Sequence, residues 1–285
     1  MTQRAASSPR LLSSHRAFSP RRIAAISANT LTELSRLKLF HVLLLFALVL
    51  IGSSMFVARL SFQQELLVFK DISLGAMSLF TSLLAILATA RLLSQDHEDQ
   101  TVYTILARPV PRFEYILGKF TGVLLLLAIS MLVMSALFFA MLYLREQATS
   151  ADAARAIIDV NLLPGLVAIF LKACLLAALT LLISTFATSN IFTIVVTVLV
   201  YFIGHLQGTA REFWLHEQGA GWLGRIFLGG VALLFPDLQR FDFSDEIITG
   251  TFIPLTTVGQ TVALGFFYIL IYLLLAIAVF NAKEL

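Results

Sequence analysis

SQDHEDQTVYTILARPVPRFEYILGKFTG, residues 94–122, is the longest continuously polar and charged stretch between two runs that could each cross a membrane. Residues 72–93 before it carry one charge, Arg91, and residues 120–144 after it carry none. A helix needs about 20 predominantly apolar residues to span the hydrocarbon core, so both runs are long enough. The stretch between them has the marks of a short helix of its own. Asp96, Glu98 and Asp99 stand at its start, where the helix dipole favours negative charge. Val102, Ile105 and Leu106 share one face at helical spacing. Arg108 suits the opposite end, and Pro109 and Pro111 forbid continuation. Charged connections between spans are usually plain solvated loops, but that reading leaves the apolar face without a purpose. A helix that touches another molecule outside the lipid accounts for it.

Composition agrees with the two spans. Hydrophobic residues make up 59% and charged residues 13% of 285. Soluble domains run near 45–50% and about 25%. The chain reads as an integral membrane protein with room for six helical spans: about 39–58, 72–93, 120–144, 162–186, 191–207 and 255–280. Spans four and five are joined by a very short turn, which makes them a tight antiparallel hairpin. Residues 1–22, rich in Ser, Arg and Pro, read as a disordered basic tail that anionic lipid could attract. They lack the apolar core and small-residue cleavage site of a secretory signal. Residues 23–38 place Ile23, Ile26, Leu34 and Leu37 on one face and Asn29, Glu33 and Arg36 on the other, the pattern of an interfacial amphipathic helix.

The connection 208–254 is mixed. Trp222–Phe235 is apolar but too short to span, which suits a re-entrant or interfacial segment. Trp214 and Trp222 fit an aromatic belt. PDLQRFDFSDE, residues 236–246, reads as an exposed loop. With the N-terminus inside, twelve Lys and Arg fall on inside segments and seven on outside ones. That bias places both termini and the 94–122 loop in the cytoplasm.

The order of an acidic cluster, Gln100-Thr101, an apolar turn, Arg108-Pro109, Arg112 and Leu117-Gly118-Lys119 resembles the first cytoplasmic loop of ABC-2 type transporter permeases. The resemblance is strongest over residues 30–125, and nearest to the branch that matures nitrous-oxide reductase and other multicopper enzymes. That branch carries Gly-Thr where this chain has Gln100-Thr101. The resemblance implies an all-α integral membrane protein. It would have six transmembrane helices over 39–285, a connecting helix before the first, a cytoplasmic coupling helix, and a re-entrant or interfacial segment before the last. It implies that Asp96, His97, Glu98, Asp99, Gln100, Thr101, Val102, Ile105, Leu106 and Arg108 dock a separate ATPase subunit. Arg112, Gly118 and Lys119 would anchor that loop. The partners implied are two ATPase copies holding ATP and Mg, a second permease copy or a related permease, membrane lipid and a periplasmic accessory protein. The setting implied is the inner membrane of a bacterium.

Self-contained catalysis finds no support. Gly118-Lys119 is followed by Phe120 and position 113 is Phe, so there is no phosphate-binding loop. His97-Glu98 lacks a second histidine at the required spacing. The five histidines are scattered, and no cluster has metal-ligand spacing. Nothing points to nucleic acid, and no cofactor is expected on this chain. Cys174 lies alone inside a span and says nothing about redox compartment. Lys172 is the one charge deep in a span, at an insertion cost of at least about 2.5 kcal/mol. It either lines a translocation path and meets an anionic group, or snorkels, or pairs with a polar residue of a neighbouring helix. Three functions follow: the permease of an ATP-driven exporter, a membrane scaffold or extraction device that recruits a soluble partner, and an ion-coupled carrier built on Lys172.

Overall fold

The computed structural model of the chain describes residues 19–60, 65–98, 111–148, 161–187, 189–216 and 236–282, with backbone alone at 93–98, 145–148 and 209–216. Among the described residues the regular structure is helical. The helices are α1 (Pro20–Ser35), α2 (Lys38–Ala58), α3 (Glu65–Glu98), α4 (Arg112–Ala148), α5 (Leu162–Phe186), α6 (Asn190–His216), α7 (Ser244–Thr249) and α8 (Leu255–Ala282). A 3-10 turn, Leu238–Phe241, precedes α7. Six helices, α2 to α6 and α8, are long and apolar enough to cross a membrane. The chain is an all-α integral membrane protein.

Burial sets the order of the bundle. In α5, 83% of the apolar window is covered by protein, against 22% in each of α2, α6 and α8. A helix apolar all round is a core helix, and α5 touches α3, α4, α6 and α8. The outer helices turn Leu45, Phe46, Leu199, Phe202, Phe266 and Leu270 outward, where lipid is the natural solvent. The apolar packing divides into two clusters. One holds Leu84, Ile116, Val123, Leu176 and Phe280; the other holds Ile51, Met77, Phe138, Leu166 and Ile247. Between them lie the buried Ser78, Thr81, Ser82, Ser130 and Lys172. A polar layer therefore crosses the middle of the bundle.

Several boundaries differ from the sequence-based ones. α1 begins at Pro20, because proline suits the first helical position, so Arg21 and Arg22 are helical. α3 does not stop at Leu93 but runs through Glu98. Asp96, His97 and Glu98 thus continue the second span's helix instead of starting a new one. No helix-breaking residue stands between Ala76 and Glu98, so nothing forces a stop at Leu93. The fifth span ends at Gly208, beside the expected 207, and its helix α6 continues to His216. Asp99–Leu106, Arg108 and Trp222–Phe235 lie outside the described residues.

The largest correction concerns 236–246. It is a docked cap, not an exposed loop. Leu238, Phe241, Phe243 and Ile247 are buried, and the 3-10 turn and α7 lie against α3, α5 and α6. Apolar side chains spaced two to four residues apart enter the bundle while the polar ones between them stay out. Asn161 holds the far side: its Nδ2 donates to the Thr251 carbonyl at 2.7 Å, and its Oδ1 accepts from the Ile253 amide at 3.2 Å. Gly250, at φ 70°, ends α7 in the left-handed conformation that glycine adopts without strain.

Candidate functional site

The connection between α3 and α4 rises from a stem whose packing is specific. α4 carries Arg112, Glu114 and Lys119 ahead of its uncharged run. At 1.5 Å per residue those eight residues extend about 12 Å beyond that run. They are braced by α1 on one side and by the end of α8 on the other.

The α1 brace begins with Glu114, fully buried. Its carboxylate accepts from Arg22 Nε at 2.7 Å, Arg22 Nη2 at 2.9 Å and the Ser19 amide at 3.1 Å. A carboxylate removed from water needs such donors, and the planar guanidinium supplies two in one fork. One turn on, a Cβ at Gly118 would lie 2.7 Å from Ile26 Cβ. One turn further, a Cβ at Gly122 would lie 2.6 Å from Thr30 Cβ. All three pairs share one offset of 92 residues, so α1 runs parallel to α4. The two glycines let the backbones approach closely, as small residues do between helices in lipid. Lys119 Nζ lies 3.6 Å from Glu33 and closes the far end of the contact.

The α8 brace is Arg112. Its Nη1 donates to the carbonyls of Phe280 at 3.1 Å and Asn281 at 3.3 Å. Carbonyls in the last turn of a helix have no partner within it and carry the negative end of the dipole. The guanidinium carbon also stands 6.0 Å from the Phe280 ring centre. Of the residues expected to anchor the loop, Arg112 reaches α8, while Gly118 and Lys119 reach α1. Glu114 and Gly122 complete the stem and were not singled out from sequence. Gly118 and Gly122 stand in a readable G-x-x-x-G spacing; the burial of Glu114 has no local signal.

The second polar centre is Lys172, on α5 and fully buried. Its Nζ donates to Ser78 Oγ of α3 at 2.5 Å. This is pairing with a neighbouring helix, one of the roles open to it from sequence. Asp242, between the 3-10 turn and α7, and His205 of α6 interact with it through charge. Burial pushes the Asp242 carboxyl up, but Lys172, the Ser244 side-chain and backbone donors and His205 together hold it below its ordinary value. Ser244 Oγ and the Ser244 amide donate to Asp242 Oδ1 at 2.6 and 3.2 Å. Asp242 also lines a cavity of about 340 Å³ between the cap and α8, with Gln239, Glu246, Gln260 and Thr261. Neither Asp242 nor His205 was marked from sequence, since each lies far from Lys172 along the chain.

Among the described residues no group of histidine, cysteine and acidic side chains is placed to hold a metal ion. Comparison with curated proteins gives no significant match. The family model described as ABC-2 family transporter protein matches residues 34–204, more than half of the chain. That range takes in the first four spans, most of the fifth, the α4 side of the stem and Lys172. Six spans, a braced stem between the second and third, and this match lead to one conclusion: the chain belongs to the ABC-2 family of transporter proteins, as a multi-pass membrane permease.

Proposed function

We propose that this permease serves an ATP-driven exporter of the bacterial inner membrane, with both termini cytoplasmic. A separate ATPase subunit docks on residues 96–108. The observation that supports this most is the stem. A push on the 99–110 connection reaches Arg112 and Glu114 within two turns. From there ion pairs, a close helix crossing and the α8 carbonyls carry it to α1 and α8. A solvated loop has no use for a fully buried, triply bonded carboxylate at its base. Two such chains, or this chain and a related permease, pair in the membrane, each docking one ATPase copy that carries ATP and Mg. Asp96, His97, Glu98, Asp99, Gln100, Thr101, Val102, Ile105, Leu106 and Arg108 form the docking segment. Lys172 lies along the translocation path. The resemblance to the copper-enzyme maturation branch names one substrate setting, with a periplasmic accessory protein. The composition supplies no Met- or His-rich cluster that would argue for copper itself.

The test is the variant E98A/D99A/T101A. It should insert normally and lose the link between ATP hydrolysis and transport. Unchanged transport would overturn the docking assignment. Lys172 supports a second reading, an ion-coupled carrier, because buried ionisable groups mark ion pathways in such proteins. Transport that continues without any ATPase subunit would favour it.

A further inference from the structure

The ammonium of Lys172 is the feature that the stem does not explain. It sits in the polar layer between the two apolar clusters, fully buried, where an uncompensated charge is costly. An ammonium has three donors, and among the described residues the one hydrogen bond it makes is to Ser78 Oγ. Ser82 is buried one turn along α3. His205 Nδ1 is buried with no hydrogen-bond partner among the described residues. The opposite charge nearest in effect is Asp242, and it does not belong to a membrane helix. It belongs to the cap, whose outer side opens on the cavity that Asp242 lines. Asp242 and Lys172 form no ion pair within 4 Å. The counter-charge therefore leaves the remaining donors of the ammonium unoccupied among the described residues.

We propose that Lys172, Ser78, Ser82 and His205 form an anion site inside the bundle, held at rest by the Asp242 carboxylate and opened to a carboxylate or phosphate of the transported molecule when the cap lifts. This rests on the permease reading and adds the chemical class of the substrate to it. Moving the cap removes the counter-charge and leaves an ammonium with free donors in a low-dielectric layer. An entering anionic group restores both charge balance and hydrogen bonds. Return of the cap puts Asp242 back in competition with that group and favours its release.

The test uses the full-length protein in phosphatidylcholine nanodiscs. The probes are oleate, uncharged oleyl alcohol and inorganic phosphate; the proteins are wild type, D242N and K172M/D242N. Oleate should bind D242N more tightly than wild type, and K172M/D242N about tenfold more weakly than D242N, the usual scale for hydrogen bonds to a charged group. Oleyl alcohol should bind all three alike. Displacement of oleate by phosphate would show that the site takes anions from water. Oleate binding that phosphate leaves untouched would show a membrane-borne amphiphile, and both results support an anion site. Equal oleate affinity for D242N and K172M/D242N, or alcohol binding that follows the same order as oleate, would overturn it. If D242N fails to insert, wild type against K172M carries the same comparison, with weaker oleate binding by K172M expected and equal affinity overturning the site. Co-purification of an ATPase with the same proteins separates the two readings. ATPase retained with charge-blind binding removes the anion site alone, whereas charge-selective binding with no ATPase removes the exporter reading alone.

Discussion

Single side chains set how tightly the stem holds, and Gly122 is the sharpest case. A Cβ there would meet Thr30 Cβ at 2.6 Å, Thr30 Cγ2 at 2.8 Å and the Ser27 carbonyl oxygen at 3.0 Å. Two of these neighbours belong to a short, stiff side chain and the third is backbone, so α1 must shift. G122V should lower stability by about 1–3 kcal/mol, the range for overpacking a close contact. The same change at Gly52, where nothing lies within 4 Å, should be nearly silent. Thermal unfolding of both proteins in one detergent decides this, and equal melting temperatures would deny the close crossing. This residue also shows what the sequence discloses. The G-x-x-x-G spacing advertises a close helix contact. It does not say which helix comes close, because Ile26 and Thr30 stand 92 positions earlier. Lys172 is similar. Its oddity in an apolar run is plain from sequence, whereas Ser78 becomes its partner, and Asp242 and His205 act on its charge, only once four separate segments are folded together.

At the scale of elements, α1 and the cap work as clamps on opposite ends of the bundle. α1 is fastened by Arg22–Glu114, and reversing one charge should free it. R22E places two carboxylates together at a buried position, so α1 should detach and the melting temperature should fall. R22E/E114R restores opposite charges and should recover part of the loss. A double variant no better than R22E would mean that the pair does not hold α1. The cap depends on apolar anchors. F241A removes a fully buried ring and should cost about 3–5 kcal/mol where the gap cannot close. Protease cleavage at Arg240 should become faster as the cap loosens, and an unchanged cleavage rate would contradict the docked arrangement. The amphipathic pattern of residues 236–247 is too short and irregular to separate a docked cap from a loop by periodicity. Its partners on α3, α5 and α6 had to be known first. The spans were easier, since a run of apolar residues of bilayer length needs no tertiary information.

For the whole molecule, the two apolar clusters, the polar layer between them and the two clamps describe a bundle that can work from both ends. The stem between α3 and α4 ties to α1 and α8 at one end. The cap ties to α3, α5 and α6 at the other, and α5 runs through the centre past both. The six spans and the family follow from length, hydropathy and the residues around the α3–α4 connection. The braces could not be foreseen, because each joins residues of distant segments. The central claim is that the segment following α3 receives an ATP-driven push from a partner subunit. Affinity co-purification of the tagged protein in mild detergent, followed by an ATPase assay, tests it most directly. The account predicts that a nucleotide-binding subunit comes with the protein and is lost when Asp96, Glu98 and Asp99 are replaced by Asn, Gln and Asn. A clean preparation without ATPase, or one in which the substituted protein keeps its ATPase, would contradict it.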